Sequence, residues 1–251
     1  MISDSDLIDH LDELLSVDEI EDDSKNGVQV DAQAEIKKVA FAVDVRKDIV
    51  KKAVKEDADL LFVHHGLIWG NGIGRMTGVN YEIVSELIKN DIGLYGAHLP
   101  LDIHPEVGNN VELARVIGAE IGEEFMEYKD RMIARMAKLR EKSKVEDIAD
   151  ILQDELGTET FILKGEREVE RIGILTGKGG EALEPAKKNG ADLFITGERT
   201  YTTYNKAVSL DMPLIFAGHY ATETLGVKKM SEKLERDFGF ETCFIPGKTT
   251  I

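Results

Sequence analysis

A strand–helix–strand pattern that occurs twice constrains this chain more than any other feature. Arg171-Ile172-Gly173-Ile174-Leu175 parallels Lys38-Val39-Ala40-Phe41-Ala42, and Ala191-Asp192-Leu193-Phe194-Ile195 parallels Ala58-Asp59-Leu60-Leu61-Phe62 (171 − 38 and 191 − 58, both 133). Further on, Tyr95-Gly96-Ala97-His98 and then Asp102 parallels Phe216-Ala217-Gly218-His219 and then Glu223 (219 − 98, or 121). The Gly-rich loop after Trp69 is the natural place for the missing residues. Each half reads strand, helix, strand, helix, strand, then His-x-x-x-carboxylate. The pattern predicts an α/β fold of two similar lobes, residues 1–128 and 129–251, with mostly parallel sheets flanked by helices and related by internal pseudo-symmetry. Ligands of open parallel sheets bind at the carboxyl ends of the strands, so a shared cleft between the lobes is the expected site.

Local signals fill in this frame. Ser3 is placed to cap a helix carrying Leu7, Ile8, Leu11, Leu14 and Leu15 at three- and four-residue spacing. An acidic stretch from Asp18 to Asp23 leads to a turn at Asn26-Gly27. Buried strands are expected at Lys38–Val43, Leu60–Val63, Ile92–Tyr95 and Leu214–Phe216, a further strand at Ile133–Leu139 in a less regular middle, and helices at Ile49–Glu56, Tyr81–Lys89 and Val111–Ile117. Ser143-Lys144-Val145-Glu146 reads as a capping box opening a helix to Leu156, stopped at Gly157.

Charge and cysteine content narrow the function classes. The 251 residues hold 31 Lys and Arg against 48 Asp and Glu, a net charge of −17, which disfavours nucleic acid or an anionic membrane as a partner. Cys243 is the only cysteine, which excludes an internal disulfide and Cys-rich zinc or iron–sulfur sites. The acidic start and the lack of a long apolar run point to a cytoplasmic protein with no membrane span.

Five of the six histidines fall in three short segments, each just after an expected buried strand. His10 is the exception, in the first amphipathic helix. In Val63-His64-His65-Gly66 the two side chains diverge from an extended strand, so two nearby metals could take one each. In His98-Leu99-Pro100-Leu101-Asp102-Ile103-His104-Pro105 the prolines argue against a continuous helix, and Asp102 is a hard oxygen donor or a turn carboxylate. For His104 a structural and a functional role stand level. A helix starting near His219 puts Glu223 on the same face at i, i+4, a spacing that can hold a metal. Together His64, His65, His219, Asp102 and Glu223 suit a two-metal centre bridged by a carboxylate, with His98 in reserve; Glu223 is the natural bridge.

These motifs resemble the Nif-three-like family, often labelled GTP cyclohydrolase I type 2 homologues. The resemblance rests on Val63-His64-His65-Gly66, on Tyr95 through Asp102 and on to Gly108-Asn109-Asn110, and on Gly218-His219-Tyr220-Ala221-Thr222-Glu223. Thr176-Gly177-Lys178-Gly179-Gly180 and Phe194-Ile195-Thr196-Gly197-Glu198 extend it over nearly the whole chain. It implies two divalent metal ions, His65 and Asp102 on one, His64 and His219 on the other, with Glu223 bridging. It also implies a toroidal homohexamer whose metal sites face an internal cavity.

The expected chemistry is hydrolysis by an activated water, with His98 as general acid or base beside Glu223. By resemblance the substrate is a purine nucleotide such as GTP, opened at its imidazole ring, with Lys178 or Arg199 available to a triphosphate. Zn, Mn, Fe, Co and Ni all accept mixed imidazole and carboxylate ligation. Two rivals stay open: a metal-binding regulatory or interaction module without turnover, and a metal-dependent phosphoesterase. The Thr176–Gly180 turn is weighed as a phosphate cradle, although it lacks Walker spacing.

Overall fold

Two sheets, each covered by helices, organise the chain in a computed structural model that describes residues 4–32, 35–72, 74–247 and 249. In chain order the first elements are α1 (Asp4–Leu15), β1 (Gly27–Val30), β2 (Lys38–Asp44), α2 (Lys47–Lys55), β3 (Leu60–His65), α3 (Gly78–Lys89), β4 (Gly93–Gly96) and α4 (Leu99–Ile103). Then follow α5 (Asn109–Val116), β5 (Glu120–Tyr128), β6 (Arg131–Lys144), α6 (Val145–Leu156), β7 (Phe161–Leu163), β8 (Glu168–Leu175) and α7 (Leu183–Lys188). The last are β9 (Leu193–Thr196), α8 (Tyr201–Ser209), β10 (Leu214–Phe216), α9 (His219–Phe238) and β11 (Glu241–Phe244). One compact unit comprises residues 1–101 and 226–248, and the other 102–225 with the last three residues. The chain thus changes unit at Leu101/Asp102 and at Leu225/Gly226, where the sequence reading places a single change at 128/129.

The first unit's sheet runs β1-β4-β3-β2-β11, parallel except where β1 meets β4. Both faces of its central strands are buried, as continuous runs such as Val39-Ala40-Phe41-Ala42-Val43 require. On one face Ala40, Ala42, Leu61, Val63 and Leu94 pack with Ile49, Val50, Ala53, Ile83 and Leu87 of α2 and α3. On the other, Phe41, Phe62 and Tyr95 stack in a row with ring centroids 5.1 and 5.3 Å apart. Tyr95 donates its hydroxyl hydrogen to Asp12 of α1 at 2.7 Å, tying that helix to the row. Removing Phe62 would leave a cavity costing about 3–5 kcal/mol.

The second unit's sheet runs β5-β6-β8-β9-β10-β7. Its core, β8-β9-β10, is parallel, and antiparallel strands extend it on both sides. Ile172, Ile174, Leu193, Ile195 and Ile215 pack with Leu113 and Ala114 of α5 and Val145, Ile148 and Leu152 of α6. Of the strands at the sheet margins, β1, β7 and β11 are only three or four residues long and β5 is mostly exposed, so none shows a strong apolar alternation and the sequence does not announce them.

The internal repeat is carried into the hydrogen bonds. Val39↔Leu60, Ala40↔Leu61, Phe41↔Phe62 and Ala42↔Val63 register in β2–β3, and Ile172↔Leu193, Gly173↔Phe194, Ile174↔Ile195 and Leu175↔Thr196 do so in β8–β9, each shifted by 133. Asp59 accepts the N–H groups of Lys37 and Lys38, both at 2.8 Å; Asp192 accepts those of Glu170 and Arg171 at 3.2 and 3.0 Å, again 133 residues on. In the third strands Leu61↔Leu94 corresponds to Phe194↔Leu214 (214 − 94, or 120), one residue short of the histidine offset.

Two local expectations change. The helix α6 starts at Val145 with Lys144 as its N-cap and no side-chain cap, because Ser143 is still paired with Val169 in the β6–β8 ladder. Gly157 ends it in the left-handed conformation, as expected (φ 62°). Pro100 does not prevent helix: it sits in the first turn of α4, where no N–H is needed from it. The expected cap at Ser3 lies outside the described residues. No helix among the described residues is long and apolar enough to cross a membrane.

Candidate metal centre

The first unit holds three imidazoles. His64 and His65 end β3, and His98 follows β4 just before α4. Their rings cluster, with centroids 4.6 Å apart for His64–His65, 5.1 Å for His64–His98 and 5.6 Å for His65–His98. One ligand nitrogen from each lies within 4.8 Å of the others. A strand end explains the proximity, since β3 and β4 are adjacent parallel strands whose carboxyl ends meet.

All three Nδ1 atoms face acceptors. His64 is fully buried, and its Nδ1 lies 2.9 Å from the carbonyl oxygen of Ala97. A carbonyl only accepts, so Nδ1 carries the hydrogen and Nε2 carries the lone pair. His65 Nδ1 lies 2.9 Å from Asp44, and His98 Nδ1 lies 3.0 and 3.1 Å from the two oxygens of Asp22. The Asp22 side chain is only 2% exposed. Burial pushes its pKa up, but hydrogen bonding and attraction to His98, with donors from Asn26 and Leu99, outweigh this and hold it well below the carboxylate range. An ionised Asp22 fixes Nδ1 of His98 as donor. Holding Nδ1 by a second-layer acceptor is how metal-ligating and acid–base imidazoles are oriented.

The second unit holds Asp102, His219 and Glu223. Asp102 is buried in α4, takes a hydrogen bond from Asn109 at 2.8 Å and meets Thr176 at 3.4 Å. Asn110 donates to the carbonyls of Asp102 and Ile133 and accepts the N–H of Thr176, locking α4, α5, β6 and the end of β8 together. His219 opens α9, and the expected i, i+4 pair forms, with Nε2 lying 3.2 Å from Glu223 Oε1. His219 Nδ1 lies 3.0 Å from Glu198. Ligand oxygens of Asp102 and Glu223 come within 4.8 Å of each other.

Glu223 is 3% exposed, so its charge needs compensation. His219 supplies it. Burial lowers the imidazole's pKa, but Glu223 and then Glu198 overcome this and push it up to about 9. A proton and a divalent ion compete for the same Nε2.

Other expected residues take structural places. His104 Nδ1 accepts the N–H groups of Glu106 and Val107, both at 3.1 Å, so its hydrogen is on Nε2. That tautomer is the reverse of that in His64, His65 and His98, and it suits a turn cap, not a ligand. In the Gly-rich turn, Gly177 N–H donates to Thr222 and Gly179 N–H to Thr196, each at 3.1 Å. Those donors are committed inside the protein and do not form a phosphate cradle. Lys178 lines a cavity of about 270 Å³ with Lys206, Thr200 and Glu181, whereas the Arg199 guanidinium lies 4.4 Å from the ring centre of Phe161.

Sequence reasoning gave no role to Asp22 or Asp44, and named Asn109, Asn110, Thr176 and Glu198 only within motifs, not as partners that orient Asp102 and His219. Glu198 was within reach, since it stands 133 residues after His65 in the repeat (198 − 65). Asp22 lies in an acidic run that carries no pattern, and only the fold brings it to His98.

Within each unit the donors suit a divalent metal: imidazoles with oriented Nδ1 atoms in the first, and in the second buried carboxylates with a glycine, Gly177, whose missing Cβ leaves room beside Glu223 and His219. Comparison with known proteins agrees in extent. A protein of Pyrococcus horikoshii called "GTP cyclohydrolase 1 type 2 homolog" is 43% identical over 248 residues, 98% of each chain. A like-named protein of Archaeoglobus fulgidus is 40% identical over 98% of this chain and 99% of its own. The solved structure of protein ybgI, described as of unknown function, superposes with a TM-score of 0.92 at 30% identity over the full length of both chains. A structure from Thermus thermophilus gives 0.87 at 33%, also over both full lengths. The profile of the Duf34/NIF3 (NGG1p interacting factor 3) family matches residues 2–251, and the chain belongs to that family.

Proposed function

We propose that the protein is a hydrolase of a purine nucleotide such as GTP, working with two divalent ions held by His64, His65, Asp102, His219 and Glu223. The observation that carries the proposal is the arrangement of Glu223, a carboxylate 3% exposed whose Oε1 lies 3.2 Å from the Nε2 of His219. A carboxylate so placed has two oxygens with which to serve two ions. His65 and Asp102 are assigned to one ion and His64 and His219 to the other. Divalent ions bound there supply Lewis acidity and activate water for attack at neutral pH.

The chain's own groups divide the remaining work. Asp22 fixes the hydrogen of His98 on Nδ1, which makes Nε2 the atom that takes or returns a proton. Asn109 and Thr176 hold the carboxylate of Asp102, and Glu198 holds the ring of His219. Lys178 and Lys206, in an otherwise acidic protein, offer positive charge to a polyphosphate. The names of the relatives favour GTP; the donor chemistry alone does not choose among nucleotides. The same reading carries a homohexamer in the cytoplasm.

Metal content and turnover measured together test this. The purified protein should convert GTP with release of formate, and Glu223→Ala should lose both metal and turnover. Release of phosphate instead identifies a phosphoesterase. Metal-dependent product from neither route, in a protein that binds metal, leaves a regulatory module and ends the hydrolase reading.

A further inference from the structure

We propose that the indole of Trp69 is a preorganised platform on which the base of the substrate stacks, so that this residue selects a planar heteroaromatic ring. The choice of a purine rests on the hydrolase reading above; the platform itself rests on the geometry around Trp69. Trp69 is the chain's only tryptophan, and it is 37% exposed although it adjoins a cluster of half-buried histidines. Its ring centroid lies 4.9 Å from that of His98 at an angle of 67°, and 6.1 Å from that of His65.

The ring is held rather than left to swing. Its Nε1–H donates to the carbonyl of Gly66 at 2.8 Å, which satisfies the one polar atom of the indole. Its backbone forms an isolated β-bridge with Ser24, flanked by hydrogen bonds from Lys25 N–H to Ile68 O and from Gly70 N–H to Asp23 O. With Nε1 engaged, the rest of the ring is apolar carbon, and the residue is 37% exposed. The ring is thus fixed, partly exposed and 4.9 Å from the ring of the acid–base histidine, as a stacking surface for a substrate ring must be. Fixing an aromatic in its bound orientation removes an ordering cost that stacking must otherwise overcome. Base–aromatic stacking accepts any base with a π-face, so the platform would recognise a ring without reading its edges.

A single tryptophan makes the test direct. Guanosine, GTP and inorganic tripolyphosphate are titrated into the purified full-length protein, with the indole excited at the red edge of its band. Saturable quenching by guanosine and GTP, and none by tripolyphosphate, is expected. Calorimetry with GTP should then show Trp69→Ala weakened about five- to one-hundred-fold, the range of one lost base stack. Trp69→Phe, which keeps a π-face, should stay within about threefold of the parent, with metal content unchanged in both variants. Unaltered fluorescence at GTP saturation, absence of any guanosine or GTP binding, or a Trp69→Ala protein that binds GTP as the parent does would each overturn the platform. The metal-centre reading is judged separately, by metal content in the His64 and Glu223 variants.

Discussion

Gly177 and Glu223 approach so closely that a Cβ on the glycine would collide with the Oε1 of the carboxylate. Gly177 also holds a left-handed backbone (φ 58°). The turn after β8 is therefore glycine for two independent reasons, one of which is the placement of Glu223. Gly177→Ala should destabilise the protein by at least about 1–2 kcal/mol from backbone strain alone. It should also lower metal content by displacing Glu223. Thermal unfolding and elemental analysis of the variant check the two effects separately.

The proton on His219 gives the metal-stripped protein a defined pH response. Burial opposes the charge on this ring, but Glu223 and Glu198 raise its pKa to about 9, above the unfolded value of about 6.5. The folded chain thus keeps a proton that the unfolded chain has lost. This contribution is complete below about pH 6.5 and disappears as pH rises through about 9. The unfolding midpoint of metal-stripped protein should fall across that window, and Glu223→Gln should flatten the fall. An equal fall in Glu223→Gln would contradict the assignment.

Asp22 and His98 form a pair whose loss should separate chemistry from metal binding. His98→Ala should reduce metal-dependent turnover by about 10²–10⁴-fold, the usual weight of a general acid or base. Asp22→Asn keeps the shape but not the charge and should cost about 10–100-fold. Neither change should alter metal content. Steady-state kinetics beside elemental analysis decides.

The repeat makes a prediction about stability. Asp59 and Asp192 each accept two backbone N–H groups at equivalent places in the two sheets. Asp59→Ala and Asp192→Ala should each cost about 1–2 kcal/mol, and the double variant should cost their sum, because the sites share no partner. Denaturant unfolding of the three variants checks this.

Much of the fold was legible because its signal is local. The runs Val39 to Val43 and Leu60 to Val63 are strands buried on both faces, and such runs declare themselves by continuous apolarity. The 133-residue spacing foretold the shared register of β2–β3 and β8–β9. Edge strands stayed hidden, since β5, Glu120–Tyr128, is mostly exposed and acidic. At the site, the i, i+4 pairing of His219 with Glu223 follows from helix geometry alone. The partners that choose a tautomer, Ala97 O for His64 and the backbone of Glu106 and Val107 for His104, depend on loop paths that no spacing encodes. Each change of unit falls inside a helix, α4 or α9, where no linker composition marks it.

Elemental analysis of the purified protein, with His64→Ala and Glu223→Ala beside it, bears most directly on the account. The donor set predicts about two divalent ions per chain in the parent, at most one in His64→Ala and fewer still in Glu223→Ala, with all three proteins folded. A folded parent that takes up no ion when offered zinc, manganese, iron, cobalt or nickel, or variants that hold as much metal as the parent, would contradict it.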